Sequence, residues 1–518
     1  MNRAALVAAG ILLSRAAGFV RMRVFAHYFG LRTDAADAFN ASFRIPNFLQ
    51  ALFGEGALSA SFIPVYAALV ARGRRVEADR VAGAVGAMVS TLVAVIVLLG
   101  VLVAPWMVAV IAPGFSGEKR DLTIALTRIL FPGAGLLVVA AWCLGVLNSH
   151  HKFLLSYAAP VVWNAAMIAV LVIFGGRTTL PRLAVLLAWG SVLGSLLQVV
   201  AQIPMVLKVA PDLRLAFDLA SEHVRTVGRN FLPVLIGRGV VQVSGYIDAL
   251  LASLLPTGAV TGISNAATLY TLPVSLFGMS VAASELPAMA GAAEPDAAGA
   301  EAVRLRLDSG LRRIAFFVVP SAVAFLALGD VVAGAVLQTG RFTSEDAVYV
   351  WAILAGSSIG LVASTLGRLY SATLFALRDT RTPLRYALVR VSLTTVLGYL
   401  CALPLPRLLG IDASWGAAGL TGSAGVAGWV EMFLLRRKLR MRVASKGIPF
   451  FHLARLWGAA LAAAGVGWGV RWLLPPVGPI IQGALVLGPY GLTYLGVTLA
   501  LGVPDAANAV KSGFRRRA

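Results

Sequence analysis

The sequence predicts an all-α integral membrane protein with about fourteen transmembrane helices. Of its 518 residues, 59% are hydrophobic and 13% are charged, and the mean hydropathy is +0.84. Soluble globular chains carry about 25% charged residues, so this composition excludes an ordinary soluble domain. Apolar stretches of about 20 residues or more recur along the chain, and each is long enough to cross the hydrocarbon core as a helix.

The predicted helices follow one another with short connections. Several apolar stretches exceed about 25 residues, so we expect those helices to tilt, kink or project beyond the bilayer. Prolines inside five of them predict breaks or bends, because proline removes a backbone donor. These prolines are Pro46, Pro132, Pro160, Pro233 and Pro273. The stretches lie near 4–29, 36–70, 82–111, 122–148, 154–175, 183–207, 230–254, 260–291, 312–338, 347–376, 385–404, 411–435, 451–473 and 480–503.

Basic residues in the connections predict the orientation of the helices. The formal net charge is +21, and Lys and Arg gather in short clusters between apolar stretches. Such clusters are topology signals and contacts for anionic lipids, so nucleic-acid binding is not expected. A cytoplasmic N-terminus places most of them on one side, which predicts that both termini are cytoplasmic. The predicted cytoplasmic loops are 71–81, 149–153, 208–229, 292–311, 377–384 and 436–450, whereas the opposite loops 255–259 and 474–479 contain no Lys or Arg.

No connection is long enough for a soluble domain. The two longest predicted cytoplasmic connections, 208–229 and 292–311, mix acidic, basic and apolar residues. This mixture is typical of short amphipathic helices that lie on the membrane surface. The first connection separates the sixth helix from the seventh, so it is the predicted linker between two lobes.

The first apolar stretch contains two arginines that point to function. Arg15 and Arg21 both lie within it, and an Arg near the middle of a membrane helix costs about 2.5–3.5 kcal/mol. Their side chains are predicted to lie roughly 120° apart, as a broad cationic face toward water or an anionic substrate. The alternative for Arg21, near the end of the stretch, is that its side chain reaches the membrane interface.

The second stretch carries charges of both signs. Asp37, Arg44 and Glu55 are spaced by seven and eleven residues, which predicts one helical face if Pro46 only bends the helix. Mixed charge on one face suits ion pairs in a water-filled cavity. The alternative is a pairing that only stabilises the fold.

Further charges lie in the seventh and tenth stretches. Arg238 and Gln242 lie four residues apart in the seventh, and Arg368 lies in the tenth. The predicted interior therefore carries more cations than acids, which is what an anionic substrate requires. We interpret Arg15, Arg21, Arg44, Arg238 and Arg368 as candidate substrate-binding residues.

The sequence contains no recognisable catalytic constellation. No Ser/His/Asp grouping, phosphate-cradling glycine loop or metal-ligand spacing is present, and both cysteines, Cys143 and Cys401, lie in apolar runs. No cofactor or metal is expected. A membrane-embedded transferase is therefore the weaker alternative to a transporter.

The chain carries a set of short motifs between about residue 8 and residue 390. The motifs are SRAAGFVR (14–21), DAF (37–39), PNFL (46–49), EGA (55–57), FIP (62–64), APW (104–106), APGF (112–115), LNS (147–149), GRFT (340–343) and FALRDTRTP (375–383). In sequence and order this set resembles the MurJ (MviN) lipid II flippases. The last four helices match by hydropathy alone.

This resemblance implies a member of the multidrug/oligosaccharidyl-lipid/polysaccharide exporter superfamily. It implies two six-helix lobes, 1–207 and 230–435, around a central cavity, joined by the linker 208–229. Helices in 451–503 would form a groove for an isoprenoid tail, followed by a basic cytoplasmic tail, 504–518. The implied substrate is lipid II, an undecaprenyl-pyrophosphate-linked disaccharide peptide. The chain would move it from the cytoplasmic to the periplasmic leaflet of the bacterial inner membrane by alternating access, for cell-wall synthesis. The cell-wall synthesis machinery is a further candidate partner.

The sequence also departs from the family pattern. Gln50 and Ala51 stand where the family has a cationic pair, Met22 replaces an Asp, and Thr268 stands at the place of an arginine. Arg44, Arg238 and Arg368 are the candidate replacement charges. Flipping of another polyprenyl-linked saccharide, drug or cation export, and a role without transport remain alternatives.

Four further residues are candidates for lining or gating the cavity. The resemblance places Asp379 in the cytoplasmic turn between the tenth and eleventh helices, where Pro383 should end helical structure. We expect Asp379 to accept hydrogen bonds that hold this turn in place. The candidate cavity and gating residues are Asp37, Glu55, Gln242 and Asp379.

Overall fold

A computed structural model describes residues 3–218, 220–292 and 296–515. Side chains at 3–9, 45–46, 54–56, 153–154, 156, 236–244, 297 and 510–515 lie outside the described residues. The described chain is all-helical apart from its connections and one isolated bridge between Thr339 and Phe342. The helices are α1 (Arg3–Phe29), α2 (Asp34–Leu49), α3 (Ser59–Ala71), α4 (Arg75–Ile111), α5 (Gly117–Ser149), α6 (Phe153–Phe174), α7 (Leu180–Val209), α8 (Glu222–Ser253), α9 (Ala259–Pro273), α10 (Ser280–Ala292), α11 (Ala297–Ala327), α12 (Gly329–Leu337), α13 (Ser344–Ile359), α14 (Leu361–Ala376), α15 (Arg381–Ala402), α16 (Pro404–Leu408), α17 (Gly416–Val443), α18 (Phe450–Leu473), α19 (Pro479–Ala500) and α20 (Pro504–Arg515).

The predicted class of fold, an all-α membrane protein, is confirmed. Among the described residues, ten helical stretches are long and apolar enough to cross a membrane, and the bent pair α13–α14 would make eleven. The other three predicted helices correspond to α1, to the stretch from α2 to α3, and to α8. Charged residues inside them lower their hydropathy, so the total of fourteen stays a prediction.

Two of the predicted breaks occur as wider, π-helical segments. Gln50–Leu58 separates α2 from α3, and Val274–Met279 separates α9 from α10. Pro46 precedes the first segment and Pro273 the second, and a proline lacks the backbone N–H that a regular helix needs. Segments of this kind are frequent at functional sites. In contrast, α5, α6 and α8 continue through Pro132, Pro160 and Pro233.

The predicted amphipathic helix over 208–229 is wrong. α7 continues to Val209, and residues 210–218 and 220–221 are not helical before α8 begins. This segment is held against α4 instead, because the backbone N–H of Asp212 donates to Asp79 at 3.1 Å. At Gly83 a Cβ would lie 2.0 Å from the carbonyl oxygen of Arg214. Only glycine therefore allows this close approach of the two backbones.

The second predicted surface helix, within 292–311, also differs. α11 begins at Ala297 and continues without interruption to Ala327. Its first turns are therefore part of a long apolar helix and do not form a separate surface helix. Asp296 caps this helix by accepting from the backbone N–H of Gly299 at 2.7 Å.

The chain divides into two compact units. Unit one contains Met1–Val260 with Thr339–Phe342, and unit two contains Thr261–Gln338 with Thr343–Ala518. α8 therefore belongs to unit one, because it packs against α3 and α4. In unit two, α19 is tied to α11 by Tyr494, whose hydroxyl donates to the carbonyl of Phe316 at 2.6 Å.

Candidate functional site

Arg21 lies on α1 and is held in place by α6. Its Nε donates to Oδ1 of Asn164 at 2.9 Å. The guanidinium carbon lies 5.1 Å from the centre of the Trp163 ring and 5.9 Å from that of Phe43. Asn164 is itself fixed, because its Nδ2 donates to the carbonyl of Pro160 at 3.0 Å. The half-buried cation is therefore oriented by an amide and two aromatic faces.

Arg15 lies six residues before Arg21 on the same helix. Its side chain is exposed, whereas that of Arg21 is half-buried. Since the helix is continuous, the two side chains leave it in directions roughly 120° apart. The predicted broad cationic face is compatible with this geometry.

Arg44 on α2 is associated with α8. The hydroxyl of Tyr246 donates to the backbone carbonyl of Arg44 at 3.4 Å, and the carboxylate of Asp248 attracts its guanidinium. The ring of Tyr246 also meets that of Phe48 edge to face, with 5.2 Å between the centroids. The acidic neighbour of Arg44 therefore comes from α8 and not from its own helix.

Asp37 belongs to a separate arrangement, which we call the Lys119 cluster: Asp34, Asp37, Lys119, Thr257 and Gly258. Lys119 Nζ lies 3.0 Å from Asp37 Oδ2 and 3.1 Å from Asp34 Oδ1. Asp37 is only 1% exposed and also accepts from the backbone N–H of Gly258 at 2.9 Å. Thr257 donates to Asp34 at 2.8 Å. The cluster therefore joins α2 and α5 to the turn that follows α8.

Asp37 and Arg44, seven residues apart within α2, keep the predicted common face, whereas the predicted spacing from Arg44 to Glu55 crosses a change of helix type. Asp37 pairs with Lys119, and α2 ends at Leu49 before the π-helical segment. The spacing of 100° per residue does not hold across such a segment. The side chain of Glu55 lies outside the described residues, as do those of Arg238 and Gln242.

Unit two carries its own group of charges, the Arg368 cluster: Tyr270, Ser364, Arg368, Arg390 and Glu431. Arg390 Nη1 lies 3.1 Å from Glu431 Oε2, and the hydroxyls of Tyr270 and Ser364 are hydrogen-bonded. Arg368 is exposed and interacts electrostatically with Tyr270, Arg390 and Glu431. Two cations therefore share one carboxylate, which leaves a positive charge for an anionic ligand.

Asp379 fixes the turn between α14 and α15, as predicted. The prediction that Pro383 ends helical structure is wrong: Pro383 lies in the first turn of α15, where a proline is tolerated because the backbone N–H has no helical partner. Asp379 accepts from the backbone N–H of Thr382 at 3.0 Å and from the Thr382 hydroxyl at 2.8 Å. Arg442 Nη2 lies 3.1 Å from the same carboxylate. The hydrogen bond from the Thr382 backbone holds the pKa of Asp379 below its usual range, with help from the hydroxyl and from Arg442.

Sequence reasoning missed the partners of these charges. Lys119, Asn164 and Arg390 were not predicted as site residues, and each lies more than 40 positions from its partner in the chain. The available signal was a charged or amide residue within or beside an apolar stretch. Within the described part of the chain, no group of three or more His, Cys, Asp or Glu could hold a metal ion.

Comparison with known proteins decides the family. The family model described as lipid II flippase MurJ matches residues 25–481. The chain belongs to the MurJ family. A lipid II flippase MurJ from Burkholderia cenocepacia is 32% identical, covering 100% of this chain and 99% of that protein. A probable lipid II flippase MurJ from Rhizobium meliloti is 30% identical, covering 96% of this chain and 91% of its own length.

Solved structures agree with this fold. A lipid II flippase MurJ in an inward closed conformation matches with a TM-score of 0.77 at 21% identity, covering 96% of this chain and 99% of that one. An inward-facing MATE-family multidrug resistance transporter of the MOP superfamily matches with a TM-score of 0.68 at 17% identity, covering 86% of this chain and 98% of that one. The protein is therefore a MurJ-family transporter and not an enzyme, and it shares its fold with the wider superfamily.

Proposed function

We propose that this protein is a flippase that moves lipid II from the cytoplasmic to the periplasmic leaflet of the bacterial inner membrane by alternating access. The observation that carries the proposal is the MurJ family match over residues 25–481, together with full-length relatives named lipid II flippase. Lipid II bears a pyrophosphate and peptide carboxylates, so its passage requires cations within membrane-spanning helices. The product would be the precursor used for cell-wall synthesis.

Oriented cations support this substrate. Arg21 is aligned by Asn164 in unit one, and Arg368 and Arg390 share the single carboxylate of Glu431 in unit two. Charge-assisted hydrogen bonds to phosphate oxygens are strong and directional when the donor is pre-oriented. We propose that Arg15, Arg21, Arg44, Arg238 and Arg368 bind the headgroup, with Arg390 as an additional contact.

The Lys119 cluster supports a gating role at one end of unit one. It bonds the beginning of α2 to the turn after α8, through Asp37 and the N–H of Gly258. If the N-terminus is cytoplasmic, α1 crosses once and this end is periplasmic. We propose that the cluster holds the periplasmic end closed and must open for release of the headgroup.

The test combines complementation with a transport assay. The protein should rescue a strain depleted of its lipid II flippase, and in vesicles it should move lipid II without changing its mass. Arg15→Ala and Arg21→Ala should each abolish rescue at normal membrane abundance, whereas Arg182→Ala, an exposed arginine at the start of α7, should not. Full rescue by both Arg15→Ala and Arg21→Ala would refute the cationic mechanism.

A second candidate substrate is another polyprenyl-linked saccharide. The observation that favours it is the loss of family cations at Gln50, Ala51 and Thr268, the last of which donates to the carbonyl of Ser264 at 2.9 Å. A lipid-linked saccharide without a peptide would need fewer cations. Transport of such a lipid at a higher rate than lipid II, in the same vesicles, would favour this candidate. The cell-wall synthesis machinery remains a candidate partner under either substrate.

A further inference from the structure

An apolar pocket of about 490 Å³ lies within unit one, between α4, α8 and the non-helical connection. Its volume falls in the range of roughly 300–1,000 Å³ that is usual for small-ligand sites. Thr91 is its one residue with a polar side chain. Its lining includes Val85, Leu92, Val95, Phe217, Val224 and Gly228. We call it the α4–α8 pocket.

The walls of this pocket are held by contacts outside it. His223 Nε2 lies 3.2 Å from Glu77 Oε1, which joins the first turns of α4 and α8. The connection is held on α4 by the Asp212–Asp79 hydrogen bond of 3.1 Å and by its close approach at Gly83. Phe217 follows on this connection and forms one wall. The shape of the pocket is therefore fixed by contacts between the elements that form its walls.

The pocket lies on the lipid side of a membrane-spanning helix. α4 is one of the stretches long and apolar enough to cross a membrane. Leu92 and Val95, which line the pocket, are 44% and 50% exposed, and exposed apolar side chains on such a helix favour a mouth that opens toward hydrocarbon. A ligand that enters from there must itself be a lipid.

Exposed arginines flank the pocket at the end where α4 and α8 begin. Arg225 lies beside the lining residue Val224 in the first turn of α8, and Arg80 precedes the lining residues of α4 by about one turn. Basic residues beside a membrane surface attract anionic lipid headgroups, by about 1 kcal/mol per Lys or Arg. The apolar pocket matches the acyl chain of an anionic lipid, and the arginines beside it match the lipid's headgroup.

We propose that the α4–α8 pocket binds an anionic glycerophospholipid, with one acyl chain in the pocket and the headgroup phosphate at Arg80 and Arg225. A diacyl lipid fits better than the polyprenyl chain of a transported substrate. That chain is too long for the pocket, and it must follow its headgroup to the other leaflet, whereas this site is fixed at one end of unit one. The site is independent of the transported substrate.

The first experiment fills the pocket. A Cβ added at Gly228 meets no atom within 4 Å, so Gly228→Leu should occupy the slot without disturbing the helix. Gly291→Leu is the matched control, because its Cβ also meets open space and Gly291 is exposed outside unit one. Native mass spectrometry of protein exchanged into micelles with phosphatidylglycerol should show about tenfold less retained lipid for Gly228→Leu, and no change for Gly291→Leu.

The second experiment separates the headgroup from the chain. Arg80→Gln with Arg225→Gln should remove the preference for phosphatidylglycerol over phosphatidylcholine while one lipid is still retained. Thr91→Phe provides a second filling variant on α4 and should reduce retention of both lipids. Retention equal to the unaltered protein in both filling variants would overturn the proposal. Displacement of phosphatidylglycerol by equimolar undecaprenyl phosphate would overturn the choice of a diacyl lipid.

Discussion

At the scale of single residues, orientation matters as much as charge. Arg21 would be a costly cation in a membrane helix if it were isolated. Its Nε–H bond to Asn164 and the two aromatic rings offset part of this cost and fix the direction of the guanidinium. Asn164 is therefore a positioning residue for Arg21, and its replacement should lower the rate of substrate transport.

We predict that Asn164→Ala lowers flipping about 10- to 100-fold, since a hydrogen bond to a charged group contributes about 1.5–3 kcal/mol. Membrane abundance should stay normal. Asn164→Asp still accepts from Arg21 but neutralises its charge, so it should also be strongly impaired. Initial flipping rates in vesicles provide the measurement. Normal rates in the Asp variant would show that the Arg21 charge does not face the substrate.

A second prediction concerns His150, in the connection after α5. Its Nε2 is hydrogen-bonded to the hydroxyl of Tyr66 at 2.8 Å. Burial lowers the pKa of His150, and the nearby charges of Arg75, His151 and Lys152 lower it further. Because the folded pKa lies below the unfolded value of about 6.5, this stabilisation is present above that pH and is lost as the pH falls below it.

The melting temperature should therefore fall on acidification from about pH 7.5 to about pH 5.5, and His150→Gln should reduce that fall. Arg182→Gln is the control, because Arg182 is exposed at the start of α7 and an arginine keeps its proton over this pH range, so its variant should keep the full pH dependence. Thermal unfolding in detergent at both pH values provides the comparison. An identical fall in His150→Gln and the unaltered protein would contradict the assignment.

At the scale of elements, the Lys119 cluster joins helices that are distant in the chain. Its two aspartates differ sharply in environment, since the side chain of Asp37 is 1% exposed and that of Asp34 is 63% exposed. A buried charge that loses its partner is strongly destabilising, whereas an exposed ion pair contributes little.

We predict that Lys119→Met destabilises the fold by about 3 kcal/mol, because it leaves the Asp37 carboxylate buried without its cation. Asp34→Asn should cost less than about 1 kcal/mol. Denaturant unfolding monitored by tryptophan fluorescence can measure both variants. Equal effects of the two substitutions would mean that burial of Asp37 does not decide the strength of the cluster.

At the scale of the whole molecule, the charged connections decide how the chain lies in the membrane. The positive-inside rule predicts that both termini are cytoplasmic. Gly478 lies in a connection without Lys or Arg, while Arg72 lies in a basic one. Both positions are exposed, so each should report the aqueous phase that it faces.

In a background with Cys401→Ser, a cysteine at Gly478→Cys should react with a membrane-impermeant maleimide in intact cells. A cysteine at Arg72→Cys should react only after the membrane is opened. Cys143 is buried and should stay unlabelled. The reverse pattern at either position would refute the predicted orientation.

The sequence alone determined the class of fold and the family. The hydropathy of a stretch depends only on its own residues, so it can be read without knowing the fold. Each of the fourteen predicted stretches is helical in the described chain. The ordered motifs indicated the family, and the acceptor role of Asp379 followed from its position in a short turn. None of these inferences required knowledge of which helices touch.

The tertiary structure decided the partners. Asp37 pairs with Lys119, 82 positions away, and Arg21 with Asn164, 143 positions away, because packing rotates helices toward neighbours that periodicity cannot identify. The π-helical segment after α2 interrupted the spacing used to align Asp37 with Glu55. Asp212 and Arg214 in the connection after α7 lie against α4, since glycine at position 83 admits the backbone. Local patterns set which residues enter the membrane, whereas helix packing sets which charges meet there.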